Sequence, residues 1–94
     1  MLENFRVGTF SGHLGNSFRV YPDDSSTLEL ELVSATELNE GSERPFSLVF
    51  RGPNDALLPQ RIYRMEHAQV GAFDIFLVPI GPDDEGLLYE AIFN

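Results

Sequence analysis

Alternation of apolar and charged residues is the feature that most constrains the fold of this chain. Residues 27–33 read Thr-Leu-Glu-Leu-Glu-Leu-Val. Successive side chains of a β-strand point to opposite faces, so the three leucines of this segment face a core and the two glutamates face water. No window longer than about ten residues keeps the period of a helix. We therefore predict an all-β domain.

Five further segments have the pattern of short strands. Turn-forming residues separate them, and short polar links predict antiparallel hairpins between the first and second, the fourth and fifth, and the fifth and sixth strands. The fifth segment is the most continuously apolar, which predicts a central strand, and Pro79 is expected to end ladder pairing along one of its sides. The six predicted strands cover residues 17–21, 27–33, 46–50, 62–67, 73–78 and 87–93.

The segment 2–14 precedes these strands and combines apolar residues with glycines. Gly8 and Gly12 make a long helix unfavourable, so we predict a helical turn or two that caps one end of the sheet. Six antiparallel strands in succession predict a meander that closes into a barrel or a curved roll, since closure hides strand edges. A chain of 94 residues, 43% of them hydrophobic, suffices for one core, so residues 1–94 are expected to form a single domain.

The charge of the chain is strongly acidic. Fifteen Asp and Glu against six Lys and Arg give a net charge of −9. Nucleic acids and anionic membranes need clustered basic residues, so neither is an expected partner, whereas a basic protein is favoured. The first residues lack the features of a secretory signal, and no segment approaches the ~20 apolar residues of a membrane span. The expected location is the cytoplasm.

Residue types that support catalysis or bind metals show no known spacing. The chain has no cysteine, which excludes thiolate chemistry. His13 and His67 lie far apart in sequence and are interpreted as a polar loop residue and the end of a strand. Glu29 and Glu31 share a strand face, which is interpreted as a solvated surface and not as an acid–base pair. We therefore expect no enzyme activity, no cofactor and no metal.

The arginines are the residues best suited to recognition. Arg51 precedes a Gly-Pro turn, and Arg61 and Arg64 flank Ile62-Tyr63. Arginine binds carboxylates with two parallel hydrogen bonds, so these side chains either pair with the acidic surface of the chain itself or mark a recognition site. The candidate recognition surface consists of Arg51, Arg61, Tyr63 and Arg64.

Several runs of the sequence resemble those of a known family and together span nearly the whole chain. They are Leu2-Glu-Asn-Phe5, Pro45-Phe-Ser-Leu-Val-Phe-Arg-Gly-Pro53, Leu58-Pro-Gln60, Tyr63-Arg-Met-Glu-His67, Gly71, Phe76-Leu-Val-Pro-Ile-Gly81 and Tyr89-Glu-Ala-Ile-Phe-Asn94. The chain resembles a small bacterial family of domains of unknown function. That resemblance implies an association with genes for phage-tail-collar-like proteins, and it provides no catalytic or binding residues.

Two classes of function follow from these observations. The first is a noncatalytic acidic interaction or assembly module that binds protein, specifically as an accessory of a phage-tail-like bacterial appendage. The alternative is a small-ligand or carbohydrate-binding barrel in which Tyr21, Tyr63 or Tyr89 stacks on the ligand. A filled interior without a tyrosine-lined groove would argue against this alternative. Both a monomer and a homo-oligomer are compatible with the sequence.

Overall fold

The computed structural model describes residues 5–94 as a closed six-stranded antiparallel barrel with one short helix. The elements are α1 Val7–Ser11, β1 Ser17–Asp23, β2 Ser26–Glu37, β3 Phe46–Gly52, β4 Arg61–His67, β5 Gly71–Pro82 and β6 Leu87–Phe93. The predicted all-β class, the six strands and the N-terminal helical turn are confirmed. Leu2, part of the predicted capping segment, lies outside the described residues. No helix within residues 5–94 has the length and hydropathy needed to cross a membrane.

The strands close in the order β1-β2-β3-β6-β5-β4. The barrel thus consists of two three-stranded meanders, and in each of them the strands have 7, 12 and 7 residues. Strand β3 pairs with β6, and β1 pairs with β4. The prediction of one continuous meander is therefore wrong at the step from β3 to β4. Residues 53–60 form a connection there instead of a hairpin, and they bury Leu58 against the barrel.

Alternation decides which side chains enter the barrel. In β2, Leu30 and Leu32 are fully buried while Glu29 and Glu31 are exposed, as predicted. The prediction that β5 is a central strand is wrong, because a closed barrel has no centre and β5 also alternates: Phe76 points to solvent. Pairing of β5 with β4 ends at Leu77, which confirms that the ladder on one side stops next to Val78-Pro79.

Aromatic side chains fill both ends of the barrel. Phe10 of α1 is fully buried, and its ring centroid lies 5.4–6.2 Å from those of five other phenylalanines, Phe5, Phe18, Phe46, Phe73 and Phe93. At the other end, the backbone N–H of Leu58 donates to the hydroxyl of buried Tyr89 at 3.0 Å. The interior is packed with side chains, so a binding surface has to lie on the outside.

Candidate interaction surface

Arg51 of β3 is held by carboxylates of the chain. Its Nη2 and Nε donate to Asp83 Oδ2 at 2.6 and 3.0 Å, and its Nη1 lies 3.4 Å from Glu31 Oε1. The hydrogen bond from Arg51 holds the pKa of Asp83 below its ordinary value, helped by the N–H groups of Glu85 and Gly86. Of the two roles considered for this arginine, internal pairing is the one that the geometry supports.

Arg61 and Tyr63 form a second cluster at the start of β4. Tyr63 is buried and its hydroxyl donates to the carbonyl of Pro59, while burial raises the pKa of that hydroxyl. The guanidinium of Arg61 lies over the Tyr63 ring, 4.6 Å from its centroid, and donates to the carbonyl of Pro22. Arg64 lies on the outer face of β4. Its Nη2 is 4.0 Å from Glu66 Oε2.

The four residues of the candidate recognition surface do not form one continuous surface. Strands β3 and β4 are three steps apart around the ring in either direction, so they lie on opposite sides of the barrel. Arg51 is consequently remote from Arg61 and Arg64. Tyr63 points into the core and is only 2% exposed, so it offers no face to a partner.

A polar groove of about 460 Å³ runs along the outer side of β1 and β4. Its charged residues already contact one another or neighbouring side chains. Arg19 Nε donates to Glu29 Oε2 at 3.2 Å, and Tyr21 donates its hydroxyl to Glu66 Oε1 at 2.6 Å. The described lining residues, which include no tyrosine, are Ser17, Arg19, Glu29, Glu66, His67, Ala68, Gly71 and Ala72.

The two histidines, interpreted from sequence as unrelated polar residues, are in contact. The centroids of His13 and His67 lie 4.6 Å apart, and Asn16 Oδ1 is 3.2 Å from His13 Nδ1 and 3.0 Å from His67 Nε2. His67 Nδ1 accepts the backbone N–H groups of Gln69 and Val70, so the neutral ring carries its proton on Nε2. Within residues 5–94, no three His, Cys, Asp or Glu side chains are placed to share a metal ion. Only the fold brings these rings together, and sequence spacing carries no signal of it.

Three large apolar side chains lie side by side on the outer face of β4, β5 and β6. Ile62, Phe76 and Ile92 are 63%, 49% and 51% exposed, and we name them the outer apolar patch. Ile62 and Phe76 are direct partners in the ladder between β4 and β5. Sequence reasoning missed the patch because the continuous apolar run of β5 was interpreted as a central strand. The outward direction of Phe76 could have been inferred from Asp74, a charged residue on the same face of β5.

A cavity of about 280 Å³ opens beside this patch, where β5 and β6 stop pairing. Their ladder joins only Val78–Pro82 to Leu87–Glu90. Beyond it, β5 pairs with β4 alone and the end of β6 pairs with β3 alone. We name this opening the seam cavity. It is lined by Arg44, Ile75, Phe76, Ala91, Ile92, Phe93 and Asn94.

The fold and these surfaces define a small closed antiparallel β-barrel with a filled interior, paired arginines and an apolar patch on its outer wall. The chain belongs to the DUF6916 family, a domain of unknown function, whose family model matches residues 5–93. The resemblance to a small family of uncharacterised domains is thereby confirmed. No curated protein and no solved structure matches the chain.

Proposed function

We propose that this domain is a noncatalytic interaction module that binds a protein partner through the outer apolar patch. The observation that supports the proposal most strongly is the exposure of Ile62, Phe76 and Ile92, between 49% and 63%, on a chain with a net charge of −9. The core of the barrel is complete without these side chains. Contiguous apolar groups on an otherwise charged surface are typical of protein-interaction sites.

The acidic charge complements this role. It favours association with basic proteins and opposes binding to nucleic acids or anionic lipids, since both carry the same sign as the domain. The interior of the barrel is filled, and the charged residues of the polar groove pair with one another or with neighbouring side chains. The geometry therefore does not support an enzyme mechanism. The domain is therefore proposed as a component that assembles with other proteins.

The specific form of the proposal is an accessory of a phage-tail-like bacterial appendage. Its support is the resemblance of the sequence to a bacterial family associated with phage-tail-collar-like genes. Gene neighbourhood tests it: members of the family encoded repeatedly beside tail or fibre genes would support this role. Neighbours that vary at random, or that encode a metabolic pathway, would contradict it.

The alternative of a carbohydrate-binding barrel has less support. Tyr63 and Tyr89 are 2% and 0% exposed, and their hydroxyls contact backbone groups inside the domain. Tyr21 is half-buried with its hydroxyl on Glu66. Tyr63 and Tyr89 therefore do not form an exposed aromatic surface on which a sugar could stack.

Affinity capture from a lysate of the source organism tests whether the domain binds a protein through the outer apolar patch. The bait is the full chain, compared with a variant that carries Phe76→Ser and Ile92→Ser. A matched control carries Leu38→Ser and Leu57→Ser, which replace side chains that are 47% and 63% exposed elsewhere on the surface. We expect one defined set of proteins on wild type and control that is lost from the patch variant. Equal recovery by all three baits, or repeated capture without any protein, would contradict the proposal.

A further inference from the structure

Building on the proposed function, we infer that the partner of the outer apolar patch is a second copy of this domain. The two copies pack face to face across a two-fold axis that runs along the strands, midway between β4 and β5. Two features of the outer wall specify this partner: the exposed apolar side chains, and the charges that the β4–β5 ladder places next to them.

One row of the β4–β5 ladder is apolar on its outer face. Ile62 and Phe76 are direct partners in this ladder, and they are 63% and 49% exposed. The two-fold axis places Ile62 of one copy on Phe76 of the other, and symmetry repeats the contact on the other side of the axis. Both side chains are thereby removed from water, which a single barrel leaves them facing. The apolar row is therefore complementary to itself.

The next row of the ladder carries one cation and one anion. Arg64 pairs with Asp74, and each lies two positions along its strand from the apolar row, so all four side chains share the outer face. Both residues are exposed. The side chain of Asp74 forms no ion pair or hydrogen bond within residues 5–94. Arg64 Nη2 lies 4.0 Å from Glu66 Oε2, at the limit of an ion pair.

The same axis matches these charges between the two copies. It places Arg64 of each copy on Asp74 of the other, so a cation meets an anion twice in one interface. The row beyond avoids a contact between like charges. Glu66 is paired with Ala72 in the ladder, so the carboxylate of each copy faces the alanine of the other. Three successive rows of the outer face are therefore compatible with a second copy.

The net charge of −9 opposes this association, but mainly at long range. Ions largely screen exposed charges that are more than about 8 Å apart at physiological ionic strength, so the charges next to the contact matter most. A basic protein is the other occupant that the net charge favours. Removing the cation Arg64 from the wall strengthens binding of a basic protein and weakens binding of a second copy. The two occupants therefore respond in opposite directions to one substitution.

The experiment measures self-association of the full chain by sedimentation velocity over a dilution series. We expect a dimer of the wild type that Phe76→Ser abolishes. Arg64→Asp and Asp74→Arg each place like charges face to face, and each should weaken the dimer about tenfold or more. An equimolar mixture of these two variants should dimerise as well as wild type, because the changed side chains then face each other with opposite charge and the unchanged ones do the same. The double variant Arg64→Asp, Asp74→Arg should also dimerise.

Asp84→Arg is the matched control. It changes the net charge by the same amount as Asp74→Arg, but in the exposed turn between β5 and β6. If only the net charge governed self-association, both variants would strengthen the dimer. We expect Asp84→Arg to leave the dimer intact, whereas Asp74→Arg weakens it.

Three results would overturn the inference. The first is a wild-type chain that stays monomeric at every concentration, and the second is a mixture of Arg64→Asp with Asp74→Arg that does not dimerise. The third is a basic protein captured from the lysate that binds Arg64→Asp more tightly than wild type, which would make that protein the occupant. Lysate capture decides the proposed function separately: proteins that bind the wild type and are lost from the patch variant support it even where the chain is monomeric.

Discussion

The imidazole rings of His13 and His67 lie 4.6 Å apart, one in the turn that follows α1 and the other at the end of β4. Asn16 bridges them, and the His67 ring also stacks on Phe18 with a centroid distance of 4.4 Å. His67 Nδ1 accepts two backbone N–H groups of the turn between β4 and β5. A proton on Nδ1 would break both hydrogen bonds and would place a charge beside His13. A neutral His67 is therefore one of the contacts that hold the N-terminal turn on the barrel, beside the backbone hydrogen bonds that Gly15 and Asn16 form with Leu32.

This arrangement predicts a loss of stability in mildly acidic solution. Burial, and then the neighbouring His13, hold the pKa of His67 below its ordinary value. Because its pKa is lower in the folded state, protonation favours unfolding. The contribution of neutral His67 is complete above the unfolded pKa of about 6.5 and is lost as the pH falls toward the folded pKa. We expect the Tm from thermal unfolding to decrease over that window.

His67→Gln is the matched variant for this prediction. Glutamine does not titrate, so the variant should show a flatter dependence of Tm on pH between neutrality and about 5.5, even if its Tm is lower throughout. His13→Gln removes the neighbouring imidazole and should leave a weaker pH dependence than that of wild type. Parallel curves for wild type and His67→Gln would contradict the assigned role.

Replacing Phe10 tests the aromatic packing that fills the α1 end of the barrel. Its ring is fully buried among five other phenylalanine rings, so Phe10→Ala creates a cavity in the core and should lower the free energy of unfolding by about 3–5 kcal/mol. Phe76→Ala removes the same group from the outer wall, where it is 49% exposed, and should cost less than about 1 kcal/mol. Chemical denaturation measures both. Equal losses would show that Phe76 serves the core and would weaken its assignment to a binding surface.

The close approach of Gly86 to Gly52 allows a third prediction, on the packing of the turn between β5 and β6. A Cβ atom at Gly86 would lie 2.2 Å from the backbone oxygen of Gly52, and neither partner is a flexible side chain. Gly86→Ala should therefore shift the turn between β5 and β6 and cost about 1–3 kcal/mol. Gly12→Ala, where a Cβ meets nothing within 4 Å, should be neutral or stabilising. A Gly86→Ala protein as stable as wild type would contradict the packing of this turn.

Local pattern was enough to predict the strands but not how they join. The alternation in β2 identified which of its side chains are buried, because a period of two depends only on neighbouring residues. Pairing of β3 with β6 is a long-range contact, and nothing in either strand specifies it. The apolar run in β5 concealed the outward direction of Phe76, since a strand with apolar residues on both faces does not show which face is buried.

The candidate site was only partly predictable for the same reason. The excess of carboxylates made internal pairing one of the two roles considered for the arginines, and the guanidinium of Arg51 does bind Asp83. Its partner Asp83 is a neighbour only because the turn between β5 and β6 lies beside β3. The contact of His13 with His67 and the seam cavity arise from strand order and from the register of β5 against β6. Neither property can be read from a single segment.

Chemical-shift mapping of the isotopically labelled full chain with a captured protein partner tests the central claim most directly. If the outer wall of β4, β5 and β6 is the binding surface, the largest changes will fall on Ile62, Phe76 and Ile92 and on the residues that line the seam cavity. Changes centred on Arg19, Glu66 and His67 in the polar groove, with an unchanged outer apolar patch, would contradict it.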